Sequence, residues 1–318
     1  MDGQALSQTL YRSLYRIRRT EEEIARVYPS DKVKSPVHLS IGQEAVSVAV
    51  CEALRKDDSI FGTYRSHAMY LAKGGGLKPM IAELYGKATG CCKGKGGSMH
   101  LMDVAAHVMG SSAVVGTTIP HAVGFAYANK YKRNDSIVAV FLGDGATEEG
   151  VFAESINFAV LKKVPLLFVV ENNGYAIHTH QSLRQGVSNI CAISNAFGVP
   201  SERIDDNDIL KIYSRTLELS AEIRDKKTGP RLIECMTYRW KEHVGPNEDY
   251  DLGYRSKDEA RTWFEQDQVP RLAGLVDQNW RKSMELEVEA EIRDAFQFAE
   301  SSPFPTEEEL LTDVFHAA

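Results

Sequence analysis

Two short apolar runs stand out in the hydrophobic pattern of the chain, at residues 137–142 and 164–170. Both are continuously apolar instead of alternating, which is typical of strands that are buried on both faces of a parallel sheet. The segment between them, 147–163, places Phe152, Ile156 and Ala159 on one face at helical spacing. The pattern therefore predicts a strand, a crossover helix and a second parallel strand.

Similar patterns occur on both sides of this unit. Amphipathic helices are predicted in the opening segment, within 201–224 and across 283–300, and another strand at 231–235. The segment 242–254 is polar and contains Gly and Pro, so we expect a surface loop there.

The alternation of strands and helices from about residue 58 predicts the α/β class, with a mostly parallel sheet covered by helices on both faces and helical extensions at both ends. We expect a helical arm at 1–57, an α/β core at 58–245, and a loop with C-terminal helices at 246–318. With 318 residues, 43% of them hydrophobic, the chain can form effectively one domain around one core.

Composition narrows the choice of partners and compartment. A net charge of −7 provides no broad basic field, so we expect no nucleic-acid partner. No apolar stretch approaches the roughly 18 residues of a membrane span, and the start lacks a signal-sequence pattern, so we expect no membrane association and a cytoplasmic location. The five cysteines include the vicinal pair Cys91 and Cys92, which disfavours a disulfide framework, and no spacing indicates zinc.

Polar side chains follow both central strands at the point where each run ends. Asp144 lies in a Gly-Asp-Gly turn after the first run, and Asn173 follows the second. Ligands bind at the carboxyl ends of parallel strands, so both side chains should reach one crevice. Their oxygens suit Mg²⁺, which takes the rest of its shell from phosphate and water. The simpler alternative is that Asp144 only caps a helix.

These motifs resemble those of the thiamine-diphosphate enzymes, in which Gly-Asp-Gly is followed by Asn-Asn at a similar spacing. The closer resemblance is to the α chain of the decarboxylating first component of 2-oxo acid dehydrogenase complexes, of the pyruvate, branched-chain and acetoin types. Seven blocks occur in that family's order: 38–45, 64–67, 94–100, 115–120, 143–145, 172–175 and 238–239.

The resemblance implies a thiamine-diphosphate-binding fold and an enzyme that uses thiamine diphosphate and Mg²⁺. Such an enzyme decarboxylates a small 2-oxo acid, or cleaves acetoin, and passes the acyl or aldehyde unit to a lipoyl acceptor. It also implies a separate β chain in an assembly of two α and two β chains, with a lipoyl acyltransferase as a further partner.

The same resemblance assigns the site residues. The Mg²⁺ ligands are Asp144, Asn173 and the backbone carbonyl of Tyr175. The diphosphate is contacted by Tyr64, Arg65, His243 and the amides of Gly145 and Ala146 at a helix N-terminus. The aminopyrimidine and the bent cofactor are held by the carbonyl of Ala113 and the side chain of Val115. Histidines that titrate near neutrality, suited to proton transfer, are His38, His67 and His243.

Each of these roles has a purely structural alternative, since a valine in an apolar run is often a core residue and a lone histidine is often structural. The chain also departs from the family. It keeps His243 but lacks the phosphorylatable serine of pyruvate-type enzymes, and it has His178-Thr179-His180 where the family usually has a small residue and threonine. These two either meet a more polar substrate or lie on an exposed turn.

Two rival functions stay open. One is a thiamine-diphosphate carboligase that transfers a two-carbon unit to a sugar or an aldehyde. The other is a non-catalytic scaffold subunit that binds Mg²⁺ and diphosphate. The 2-oxo acid, the acceptor and the β chain are left open by the sequence.

Overall fold

A single six-stranded sheet forms the centre of the computed structural model, which describes residues 3–187 and 189–312. Its strands are β1 (Ser59–Thr63), β2 (Val108–Ser112), β3 (Val138–Gly143), β4 (Leu166–Asn172), β7 (Ser201–Ile204) and β8 (Arg231–Met236). The spatial order is β2-β1-β3-β4-β8-β7, and every pairing is parallel. The short strands β5 (Tyr175–Ala176) and β6 (Thr179–His180) form a separate antiparallel pair.

Eleven α-helices surround the sheet in the described part of the chain. They are α1 (Gly3–Val27), α2 (Glu44–Ala53), α3 (His67–Ala72), α4 (Leu77–Leu84), α5 (Thr118–Tyr131), α6 (Gly150–Lys162), α7 (Ile190–Ala196), α8 (Ile209–Asp225), α9 (Lys257–Glu265), α10 (Gln268–Ala273) and α11 (Gln278–Ser301). None of them is both long enough and apolar enough to cross a bilayer.

Alternate residues of each central strand enter different cores. In β3, Ala139 and Phe141 pack into the core built with α1, α2, α4, α8 and α11. Val138, Val140 and Leu142 pack into the core built with α5 and α6. A strand that is buried on both faces needs apolar residues at every position, which explains the continuous runs. The predicted fold class is confirmed.

Helix boundaries differ from the prediction on the carboxyl side of β3. The residues Asp144–Glu148 form a 3₁₀ turn, and α6 begins only at Gly150. The amides of Gly145 and Ala146 therefore lie at the start of this 3₁₀ helix, before α6 begins.

The segment 201–224 also holds more than the predicted helix. Its first residues form the edge strand β7, and the helix α8 follows. An edge strand pairs on one side only and tolerates exposed polar side chains, so Ser201–Ile204 shows little apolar pattern.

Candidate active site

A cavity of about 250 Å³ opens at the carboxyl edge of the sheet. The strands β1, β2, β3 and β4 all end at this cavity, and residues at or just after each of these ends line it. Nine of the residues assigned from the sequence line it: Tyr64, Arg65, Val115, Asp144, Gly145, Ala146, Asn173, Tyr175 and His243. Ala113 lies between the lining residues Ser112 and Val114 without lining the cavity itself.

Asp144 is almost fully buried at the end of β3, and its carboxylate pairs with the guanidinium of Arg184. Burial raises the pKa of Asp144, and the charge of Arg184 works against that rise. The same guanidinium also pairs with Glu148. Arg184 was not predicted from the sequence, because it lies 40 positions from Asp144 in a loop without an apolar pattern.

The two asparagines after β4 have different roles. Asn172 is fully buried and donates to Glu234 at 2.8 Å and to Gln181 at 3.2 Å, so it stabilises the loop after β4 from the protein interior. Asn173 faces the cavity, where its amide nitrogen donates to Gln43 at 2.9 Å. Its side-chain oxygen accepts from the Tyr175 amide at 3.0 Å and retains a second lone pair for another partner.

Arg65 is a buried cation without an anionic partner among the described residues. It donates to the carbonyl of Leu39 at 2.6 Å and to the carbonyl of His243 at 3.3 Å. Burial lowers its pKa to about 10, so it remains charged at neutral pH. Three of its five N–H donors remain for an anion in the cavity.

Three rings cluster beside Arg65. The ring of His38 lies 4.5 Å from that of Tyr64 and 5.1 Å from that of His243, between centroids. Burial and the charge of Arg65 lower the pKa of both histidines to about 3, so both imidazoles are neutral at neutral pH. His38 Nδ1 is buried and has no hydrogen-bond partner within the described ranges.

His67 is not brought to the cavity. It is fully buried, with Nδ1 at 2.7 Å from Glu21 and Nε2 at 2.8 Å from the Ser98 hydroxyl. Both ring nitrogens are thus occupied by the protein interior, and the structure offers His67 no route to a bound ligand.

The segment 242–254 is fixed at its centre, and its prediction as a surface loop is wrong there. Asp249 is fully buried and pairs with Arg239 at 3.1 Å and with Arg255. Arg239 also donates to the carbonyl of Ile177 at 2.8 Å, which ties this segment to the β5–β6 loop at the cavity. A buried ion pair cannot be recognised from the polarity of the segment alone.

His178 and His180 are both exposed, His178 in the β5–β6 loop and His180 at the end of β6. The ring of His178 lies 4.6 Å from that of Tyr254, and the ring of His180 lies 5.1 Å from that of Tyr175. Neither lines the cavity. The structure therefore fits the exposed-turn alternative.

Glu171 is a cavity residue that the sequence reasoning missed. It lies beside Gly143 in the β3–β4 register and contacts the Ser47 hydroxyl at 3.3 Å. Burial raises its pKa to about 7. The available signal was an acidic residue at the end of a fully apolar strand, directly before Asn172.

The glycine-rich loop 93–97 does not form part of the cavity lining. Its shape is set by Glu83, a fully buried carboxylate that accepts four backbone amides. The donors are Cys92, Gly94, Gly96 and Gly97, at 2.7–3.0 Å. The loop is an anion nest that the protein fills with its own carboxylate.

Comparison with known proteins agrees with this geometry. The model of the family described as "Dehydrogenase E1 component" matches residues 12–308. The chain is 37% identical over 311 residues to the α subunit of acetoin:2,6-dichlorophenolindophenol oxidoreductase of Bacillus subtilis, covering 96% of this chain and 92% of that protein. It is 34% identical over 311 residues to the pyruvate dehydrogenase E1 component subunit alpha of Rickettsia typhi, with 96% and 94% covered. It is 36% identical over 320 residues to the chloroplastic subunit alpha-3 of Arabidopsis thaliana pyruvate dehydrogenase E1, with 96% and 73% covered.

Proposed function

The chain belongs to the dehydrogenase E1 component family, and from this premise we propose that it is the α chain of an enzyme that uses thiamine diphosphate and Mg²⁺. Its reaction is the decarboxylation of a small 2-oxo acid, or the cleavage of acetoin, followed by transfer of the acyl or aldehyde unit to a lipoyl acceptor. We keep a cytoplasmic location and the three-part division of the chain as predictions from the sequence.

Two features of the cavity fit a bound diphosphate cofactor. Arg65 is a buried guanidinium whose hydrogen-bond partners in the described part of the chain are two carbonyls, and phosphate oxygens are the acceptors that match its planar fork. His38 Nδ1 is a buried polar atom that lacks a partner among the described residues, which costs free energy unless a ligand or water reaches it. The His38 ring packs against those of Tyr64 and His243, so it lies beside the cavity-lining residues instead of among them. The Arg65 guanidinium lies 6.0 Å from the centroid of the same Tyr64 ring.

The metal would be held by hard oxygen donors at the carboxyl ends of β3 and β4. These are the Asp144 carboxylate, the Asn173 side-chain oxygen and the Tyr175 carbonyl. The donor set is typical of Mg²⁺, which shares its shell with phosphate oxygens. Diphosphate contacts fall to Tyr64, Arg65, His243 and the amides of Gly145 and Ala146, and cofactor positioning to Ala113 and Val115.

The cofactor, once bound, supplies a nucleophilic carbanion and an electron sink for decarboxylation. The protein's own residues then provide hydrogen-bond donors, acceptors and charge around it. His38 and His243 are neutral at neutral pH, so each imidazole offers one N–H donor and one acceptor nitrogen. Their low pKa makes both rings weak proton acceptors, unlike the histidines titrating near neutrality that we expected from the sequence. Burial, together with the positive charge of Arg65, keeps both rings neutral, and that charge favours anions in the cavity. We propose no catalytic role for His67, because its nitrogens are already bound.

The exposed apolar side chains at the rim of the cavity support the proposal of a partner chain. Val114, Val115 and Ile177 expose 62%, 44% and 55% of their surface around the opening. Clustered apolar side chains at a site mark a surface that another protein covers. An α subunit implies a β subunit, and we propose that two of each assemble, with a lipoyl acyltransferase as a further partner.

The observation that carries this proposal is that Asp144, Asn173 and Arg65, from three strand ends, face one cavity. To test it, the chain is purified alone and together with its β chain, and each sample receives Mg²⁺, thiamine diphosphate and pyruvate, a branched-chain 2-oxo acid or acetoin. We expect turnover, followed with an artificial electron acceptor, only in the two-chain sample.

Other outcomes separate the rivals. Condensation of pyruvate with an added aldehyde, without acyl transfer to lipoamide, identifies a carboligase. Cofactor binding without turnover of any donor identifies a scaffold subunit. Turnover by the isolated chain contradicts the proposed division of the site between two chains.

A further inference from the structure

Arg184 covers Asp144, the anionic member of the proposed metal ligand set. Its guanidinium pairs with Asp144 and with Glu148, and its Nε donates to the Thr179 carbonyl at 2.9 Å. Only 10% of the side chain is exposed. Asp144, the anionic member of the proposed ligand set, is thus already neutralised by a cation of the same chain.

The neighbouring atoms place this guanidinium over the turn that follows β3. A Cβ atom added to Gly145 would lie 3.7 Å from Arg184 Nη1. The next residue, Gln185, donates to the Glu148 carboxylate at 2.9 Å and to the Asp144 carbonyl at 3.3 Å. Arg184 and Gln185 therefore cover both the carboxylate and the backbone of the proposed metal and diphosphate site.

We propose that Arg184 prevents bare divalent cations from binding to Asp144 and is displaced only when the metal binds together with a diphosphate. This inference rests on the proposed function. A bare cation that takes Asp144 leaves a nearly buried guanidinium with one carboxylate fewer, and its own positive charge repels that guanidinium. A metal–diphosphate complex brings phosphate oxygens that can accept from the displaced guanidinium.

The consequence is a binding order. Metal and cofactor load as one complex, and the site discriminates against free Mg²⁺ and other free divalent ions. If the ion pair between Arg184 and Asp144 were only structural, its loss would change the stability of the protein. Metal binding would then depend on diphosphate as it does in wild type.

The test uses the assembled α and β chains and Mn²⁺ as the probe, with free Mn²⁺ measured by electron paramagnetic resonance. Wild type, R184Q, R184K and the double variant D144N/R184Q are titrated with Mn²⁺ alone and with Mn²⁺ plus thiamine diphosphate. R215Q is the matched control, because Arg215 pairs with Glu202 and Glu218 on the surface of α8 and its loss changes the net charge equally.

We expect wild type and R215Q to bind Mn²⁺ well only with the diphosphate present. R184Q should bind Mn²⁺ alone at least about tenfold more tightly than wild type, a difference of about 1.4 kcal/mol. R184K should lie between them, because a lysine keeps the charge without the fork. Adding D144N should remove the gain, which locates the bound Mn²⁺ at Asp144.

Thermal unfolding of the same samples gives a second readout. Without metal, R184Q should unfold at a lower temperature than wild type, because Asp144 is left buried and unpaired. Addition of Mn²⁺ alone should remove this difference in unfolding temperature. Equal or weaker Mn²⁺ binding by a folded R184Q, compared with wild type, overturns the inference and leaves the proposed function intact. If wild type binds no Mn²⁺ even with thiamine diphosphate, the metal assignment fails, and the inference fails with it.

Discussion

Glu21 and His67 lie 2.7 Å apart, and both side chains are fully buried. With the Ser98 hydroxyl on the other ring nitrogen, the three side chains follow the order of a hydrolase triad. No substrate reaches them, because Ser98 is fully buried as well. The network instead joins α1, α3 and the loop after the glycine-rich segment, so we expect its role to be structural.

Replacing His67 by Leu should therefore reduce stability and spare cofactor binding. Glu21 would lose its contact with the His67 ring while still accepting from the Ser40 amide at 2.7 Å, and losing a buried hydrogen bond to a charged group costs about 1.5–3 kcal/mol. Urea unfolding of the assembled protein measures the loss, and a cofactor titration of the folded fraction checks the site. His121→Asn, at an exposed position of α5, is the control and should change stability by about 0.5 kcal/mol or less. Full stability with lost turnover would return His67 to the active site.

Asp144→Asn should weaken thiamine diphosphate binding by at least about tenfold, or about 1.4 kcal/mol. The substitution keeps the size of the side chain and removes the anionic ligand proposed for Mg²⁺. Calorimetric titration of the assembled enzyme at fixed Mg²⁺ gives the affinity. Asp135→Asn is the control, since Asp135 is an exposed carboxylate that pairs with Arg55. Unchanged affinity in Asp144→Asn would mean that the Gly-Asp-Gly segment is only a turn.

Asp249→Asn should loosen the segment that carries His243. Arg239 and Arg255 would lose their shared carboxylate in the interior, a loss of about 3–5 kcal/mol. We expect faster tryptic cleavage after Lys241 and Arg255, and weaker cofactor binding. Glu248→Gln is the adjacent control, because Glu248 pairs with Lys257 at the surface and such pairs contribute about 0–1 kcal/mol. Identical cleavage in both variants would show that Asp249 does not fix the segment.

His38 should make the folded protein sensitive to acid. Its pKa is about 3 in the fold and about 6.5 in an unfolded chain, so between these values the unfolded state binds the extra proton. Wild type should thus lose stability relative to His38→Asn as pH falls from 6.5 toward 4, and the two should keep a constant difference above pH 7. Denaturant unfolding at several pH values measures the difference, and parallel curves throughout would mean that His38 is not held neutral.

The sheet and the convergence of Asp144 with Asn173 were predictable from the sequence, for one physical reason. Strands buried on both faces need continuous apolar runs, and parallel strands present their carboxyl ends at one edge. The side chains that follow two such runs therefore meet. The edge strand Ser201–Ile204 has no such requirement and was missed.

Charge pairing over long sequence separations was not predictable. Arg184 meets Asp144 through a loop, and Asp249 is buried because two arginines from separate segments enclose it. The hydrophobic pattern records the burial of apolar groups and cannot show which charged groups neutralise each other. The placement of His67 was missed for the same reason, since its partner Glu21 belongs to the opening helix.

The hydrogen bond from Arg65 to the carbonyl of His243 has a consequence for synthesis on the ribosome. The cavity wall joins residues that are translated far apart in time, and β8 must first be in place beside β4. A nascent chain that has not yet exposed His243 has no closed cavity. We therefore expect cofactor capture only after His243 has left the ribosome, and a ribosome-stalled fragment ending before this residue should retain no thiamine diphosphate.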